Sequence, residues 1–172
     1  EGALTPFKPE GFDKIPSTFK DDDGHYVGVG VAAIAHAYNP KLVDKADIPK
    51  SAQDFVHPKF MGKIISTYPH DDDITLYLYD TIARKYGWQF MDGLMKNKPA
   101  FVMGHLGVAQ KIAAGDFALT FDTIINLTLL EKGRGGSTEL ALPESDPIPI
   151  WAQTSAIFKG APHPNAAKLY LS

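Results

Sequence analysis

The sequence predicts an α/β fold with a mostly parallel sheet flanked by helices. Apolar runs of strand length alternate with segments whose apolar residues recur at helical spacing, and the helical segments start directly after strands. The composition is that of an ordinary globular chain, 44% hydrophobic and 22% charged over 172 residues. That length supports a real core and is long enough to hold two domains.

The elements follow in order. The segment up to Gly24 is loop-like, broken by Pro6, Pro9 and Pro16 and ending in the turn "DDDG". "HYVGVGVAAIAHAYN" (25–39) mixes Val, Ile and Tyr with Gly and Ala, and is read as one long strand or two successive ones. Ser51 is placed to cap a short helix, "AQDFV". "GKIISTY" (62–68) is a buried strand. The clearest helix covers 71–87, with Ile74, Tyr77, Leu78, Ile82 and Tyr86 on one face and Arg84 and Lys85 in the last turn. "WQFMDGLMKN" is a shorter helix. "GHLGVAQKIAAGD" (104–116) is a helix closed by Gly115 and followed by the strand "FALTF". "DTIINLTLLEKGRGG" (122–136) repeats that design, with Asp122 or Thr123 expected as cap and Gly133 as stop. "STELALP" and "IPIWAQTSAIFK" are strands, and "HPNAAKLYLS" opens a helix with no stop signal.

Bulk properties exclude several functions. Seventeen basic residues against twenty acidic ones give a net charge of −3, and no Lys/Arg run exceeds two, so no nucleic-acid footprint is present. No apolar stretch approaches the roughly 20 residues that span a bilayer. The absence of cysteine removes disulfides and thiolate chemistry and is in keeping with an exported protein. The start "EGALTPFKPEGF" is not a signal peptide, so the chain is either cytosolic or lacks its processed leader. Both ends are read as those of an excerpt from a longer polypeptide.

Few motifs carry chemistry. "GVGVAA" (28–33) spells a dinucleotide template but lacks the following helix, so its glycines are read as thinning a strand where another backbone crosses. Asp71, Asp72 and Asp73 stand where a strand gives way to a helix. Beside His70 they could hold a hard cation, yet three consecutive residues cannot all face one ion from a regular helix start. Capping accounts for them better, since carboxylates there accept free N–H groups and oppose the helix dipole. The six histidines form no metal-ligand spacing, and no serine lies in a nucleophile elbow. "WAQT" (151–154) is either a small-molecule surface or a core Trp with polar neighbours facing outward.

Taken in succession, "GHYVGVGVAAIAHAYNP", "PKSAQDFVHPKFMGKI", "YPHDDDITLYLY" and "DPIPIWAQTSAIFKGAPHPNAAKLYL" resemble the extracellular solute-binding proteins of bacterial ABC importers. The similarity runs over residues 20–172. It is nearest to the group labelled iron(III)-type and related to spermidine/putrescine and maltose binders. Its most specific pieces are "PKFMGKI" and "KGAPHPNAAKL".

The resemblance implies one lobe of a two-lobe, type 2 periplasmic-binding-protein fold. Residues 1–32 are then a first-lobe segment with a crossover strand, 33–150 the second lobe, and 151–172 the second crossover with the start of a first-lobe element. It implies a periplasmic or extracellular, non-enzymatic protein that captures a small solute and delivers it to a membrane permease, with no cofactor or resident metal. Strand ends and helix starts would face the solute, giving Tyr68, His70, Asp71, Asp122, Thr123, Trp151 and Gln153 as ligand residues. Family members that bind ferric iron use adjacent tyrosines, and no Tyr-Tyr occurs here, so an organic solute is expected over iron. The alternatives are a ferric or other metal carrier using His70, Asp71 and Asp122, or an enzyme on the same fold. Without the rest of the first lobe, Val27, Val29, Val31 and the stretch 156–171 are expected to lack cover and to promote self-association.

Overall fold

The computed structural model describes residues 2–172; of the segment read as an amino-terminal loop, Glu1 lies outside the described residues. In chain order the strands are β1 (Leu4–Thr5), β2 (Val27–Tyr38), β3 (Ile65–Thr67), β4 (Ala100–Val102), β5 (Leu119–Ile124), β6 (Glu139–Ala141), β7 (Ile150–Ser155) and β8 (Ile157–Phe158). The helices are α1 (Asp73–Tyr86), α2 (Trp88–Lys96), α3 (His105–Ala114), α4 (Ile125–Gly133) and α5 (Pro164–Leu171). The chain divides into two units, one of the residues up to Ala32 with Trp151–Ser172, the other Ala33–Ile150. The long strand β2 starts in the first and ends in the second.

In the first unit, β1 pairs antiparallel with β8, matching Leu4 to Phe158 and Thr5 to Ile157. Phe12 is buried beneath the ammonium groups of Lys8 and Lys20, 5.4 and 4.7 Å from its ring centre. A Cβ on Gly28 would stand 2.8 Å from the Phe19 carbonyl oxygen, so this glycine does keep β2 thin for a crossing backbone. Gly30 has open space around it. Val27 is buried, contrary to the expectation that it lacks cover; Val29 and Val31 are half exposed, and α5 buries no residue.

The second unit holds the larger core. The α/β class holds there, with β3 and β4 in parallel register and a parallel bridge from Ile64 to Leu119. Around β2 the order departs from the parallel expectation: β5 and β6 both flank it antiparallel, His36 facing Ala141 on one side and Ala37 facing Thr120 on the other. Strand–helix alternation fixes direction only between strands joined by a helix crossover, and β2 has no such crossover to either neighbour. Ile65, Val108 and Ile112 form a buried cluster under β3, β4 and α3, joined by Ala100, Val102 and Phe117. A second, aromatic centre surrounds Phe121, which meets Phe55 and Tyr79 edge-on at 5.4 and 5.2 Å and Phe90 at 6.3 Å.

Two helix readings are corrected. In α1 the inward stripe is Ile74, Thr75, Leu78, Tyr79 and Ile82, while Tyr77 is exposed and Tyr86 half-buried. The stripe is rotated because Tyr79 finds a buried partner, Ser66 Oγ at 2.9 Å from its hydroxyl. Helix α4 begins at Ile125, so Asp122 and Thr123 belong to β5 and cap nothing; Gly133 closes the helix from within and Gly135, at φ +90°, makes the turn beyond it. Helix α3 ends as expected at Gly115, with φ +88°.

Candidate functional site

Strand β3 ends at Thr67, and five residues carry the chain into α1. The Tyr68 N–H donates to Val102 O at 3.1 Å, and Asp71 N–H closes a turn on Tyr68 O at 3.0 Å. Each of the three aspartates then has its own task. Asp71 Oδ2 accepts the Gly104 N–H at 2.9 Å, tying this loop to the start of α3. Asp72 is the N-cap of α1, its Oδ1 accepting from Ile74 N at 2.9 Å and Thr75 N at 3.4 Å. Asp73 Oδ1 also accepts from Ile74 N, at 2.9 Å. The three like charges are tolerable because each accepts backbone N–H groups at a helix start, Asp72 and Asp73 sharing Ile74 N–H and Asp71 taking that of Gly104, rather than converging on one ion.

Tyr68 and His70 form the outer part of the loop. The Tyr68 ring stacks on Phe101 with centroids 5.4 Å apart, and the His70 ring lies 5.2 Å from Tyr68. Tyr68, His70 and Asp71 are all exposed, as is Met103 one residue before Gly104. No Lys or Arg occurs in residues 64–83 or 99–110, so these segments supply aromatic faces, two imidazoles and carboxylates but no Lys or Arg cation.

Directly beneath lies Asp122, completely buried. Its Oδ2 accepts from Thr67 N–H at 2.7 Å and Ser66 Oγ at 2.9 Å; its Oδ1 is 3.4 Å from Thr75 Oγ1 and 3.4 Å from His105 Nδ1. Burial pushes the carboxyl up to about 6, against the pull of His105 and of the Thr67 and Ser66 hydrogen bonds. Burial likewise raises the Tyr79 phenol. Thr123 is buried too, its hydroxyl 2.8 Å from that of Thr128.

Of the residues expected at the ligand surface, Tyr68, His70 and Asp71 thus share one exposed loop, and Asp122 reaches that loop from below through Thr67. Thr123 is the next residue of the same strand and faces α4. Trp151 and Gln153 lie on β7 in the other unit, the first half-buried and the second exposed. Sequence reasoning missed His105. It opens α3 immediately after β4, at the same kind of strand-to-helix junction that singled out His70, and that rule applied evenly would have found it.

The chemistry available here is recognition by stacking and hydrogen bonding. Ser66, a hydroxyl beside a carboxylate, is sealed in the interior against Tyr79, Asp122 and the Thr67 carbonyl. Among the described residues, the one group of metal-ligand type whose atoms converge is Asp21, Asp23 and His25 in the first unit. There His25 N–H and Nδ1 both lie within 2.9 Å of Asp21 Oδ2 and close a turn.

The family described as bacterial extracellular solute-binding protein matches residues 1–148. No curated protein matches the chain. Among solved structures, iron-bound HitA from Pseudomonas aeruginosa is similar with a TM-score of 0.74 at 19% identity, over 98% of this chain and 56% of that one. AfuA from Actinobacillus pleuropneumoniae, a periplasmic binding protein with exogenous fructose-6-phosphate bound, gives 0.80 at 22% identity, over 99% and 56%. The substrate-binding protein of an ABC transporter from Agrobacterium tumefaciens gives 0.83 at 14% identity, over 99% and 52%. The chain therefore spans a little over half the length of these proteins, and the likeness establishes a periplasmic-binding-protein fold.

Proposed function

The chain belongs to the bacterial extracellular solute-binding protein family, and on that premise we propose that it is part of the substrate-binding component of an ABC importer. It acts outside the cytoplasmic membrane, in the periplasm or at the cell exterior, and hands a small solute to a membrane permease. The observation that carries this is the family match over residues 1–148, supported by the fold shared with transporter-associated binding proteins.

Within this chain the solute is met by the exposed loop of Tyr68, His70 and Asp71. Asp122 and Thr123 act from beneath by holding that loop and the start of α4. Stacking on Tyr68 and hydrogen bonds to Asp71 and His70 suit a small polar organic solute. Ferric iron is disfavoured as cargo by the absence of any adjacent tyrosine pair. Binding without catalysis is supported by the family match to solute-binding proteins.

Native mass spectrometry of the protein as expressed identifies a co-purified solute, and titration calorimetry then measures its affinity. Tyr68→Ala and Asp71→Ala are each expected to weaken binding by about tenfold, about 1.4 kcal/mol. Unchanged affinity in both variants, with folding intact, refutes this ligand face.

A further inference from the structure

His105 is buried at the point where four elements meet, and both of its ring nitrogens are doubly contacted. Nδ1 lies 3.4 Å from Asp122 Oδ1 and 3.4 Å from Thr67 Oγ1. Nε2 lies 3.4 Å from Asp72 Oδ2 and 3.1 Å from Thr75 Oγ1. We propose that His105 is a positioning residue, a clasp whose imidazole bridges Asp72 and Asp122 and thereby fixes the loop bearing Tyr68, His70 and Asp71. The inference rests on the ligand face assigned above and supplies what holds that face in place.

The chemistry follows from the pairing of one carboxylate with one hydroxyl at each nitrogen. A carboxylate can only accept, whereas a threonine hydroxyl can donate or accept. With both nitrogens protonated, the ring's charge sits 3.4 Å from a carboxylate oxygen on each side. With one nitrogen bare, the neighbouring threonine can turn its proton toward it, and the carboxylate on that side faces a lone pair in place of an N–H. Asp122 has no access to water, whereas the Asp72 side chain is 29% exposed, so Asp72 is the carboxylate that can be released to solvent. Asp72 is also the α1 cap, and Asp71, next to it, holds Gly104 beside His105. Releasing the clasp therefore loosens the end of β3, the start of α1 and the start of α3 together.

The groups around the ring are few. Asp72 faces it from the α1 cap, Asp122 from β5, and Tyr79 of α1 joins through Ser66 and Asp122. Strand β4 brings no titratable residue, and the charges of α4 pair elsewhere, Glu131 with Arg134 and Lys132 with Glu139. Thr67 and Thr75 are uncharged.

The test is site-resolved amide hydrogen exchange on the chain without added solute, so it can fail independently of the solute-binding assignment. The probes are Thr67, Ile74 and Gly104, whose N–H groups donate to Asp122, Asp72 and Asp71. In His105→Leu these three are expected to exchange about tenfold faster or more, while α2 and β6 keep wild-type protection. His105→Gln, which keeps one donor and one acceptor, is expected to restore protection. If His105→Leu does not fold, Thr75→Val removes one contact to Nε2 and is expected to give a smaller loss at the same three amides. Wild-type exchange at all three, or acceleration spread evenly over α2 and β6, overturns the proposal.

Discussion

Asp122→Asn should make this protein sensitive to acid, although it removes a buried charge. The reason lies in two buried groups of opposite sign in the second unit. Asp122 is raised from 3.8 to about 6 by burial, so between those two values the folded state holds a proton that the unfolded chain has released. Its stability contribution is full below pH 3.8 and is lost as pH rises through about 6. His36 behaves oppositely. Burial lowers it from 6.5 to about 4, against the Asp146 charge and a bond to the Pro49 carbonyl, and its Nδ1 has no hydrogen-bond partner. Its contribution is full above 6.5 and is lost as pH falls through about 4. At about 1.36 kcal/mol per pH unit, each effect amounts to about 3 kcal/mol, and over the shared window they nearly cancel. Removing Asp122 exposes the His36 slope. Urea unfolding from pH 7.5 down to 4, followed by far-UV circular dichroism, measures it. The stability difference between Asp122→Asn and wild type should shrink by about 3 kcal/mol on acidification. For His36→Phe the difference should grow by about as much as the pH falls from 6.5 to 4. A difference for Asp122→Asn that does not change with pH would falsify the account, since it would mean that its partners fully compensate the buried carboxylate.

Three further substitutions test the packing of the second unit. Asn97 is buried and donates from Nδ2 to Phe55 O at 2.8 Å and His57 O at 2.9 Å, so Asn97→Ala strands two carbonyls and should cost about 2–4 kcal/mol in urea unfolding. A Cβ at Gly136 would stand 2.7 Å from Ala113 Cβ and 2.8 Å from Glu131 O, whereas nothing lies within 4 Å of one at Gly133. Gly136→Ala should therefore cost about 1–3 kcal/mol and Gly133→Ala should be neutral or stabilising; equal effects of the two contradict the close approach of α3 and α4.

Local chemistry was legible wherever it depends on neighbours in sequence. Ser51 begins a 3-10 turn with a reciprocal capping box to Asp54, Gly115 ends α3 in the left-handed region, and Asp72 caps α1, because each needs donors or dihedrals only a few residues away. Errors arose where a distant partner decides. Asp122 reads as a helix cap from its place before an apolar helical run. In the fold, β5 continues through Ile124 because its ladder with β2 extends to the Ile34–Ile124 pair, which carries Asp122 inside. Tyr77 and Tyr79 stand about 200° apart on a helical wheel, and the face that turns inward is the one on which Tyr79 meets the buried hydroxyl of Ser66, thirteen residues earlier.

By itself, the sequence determined the α/β class, the order of elements, the family resemblance and the junction loop of Tyr68, His70 and Asp71. Periodicity, caps and turn residues are encoded within a few positions of where they act. Only the tertiary structure decided the antiparallel placement of β5 and β6 on β2, the burial of Asp122, and the contacts of His105 with Thr67, Asp72, Thr75 and Asp122. These depend on which segments meet after the chain has folded, and on the cost of burying a carboxylate or an imidazole without partners, which makes their bonding a property of the assembled core.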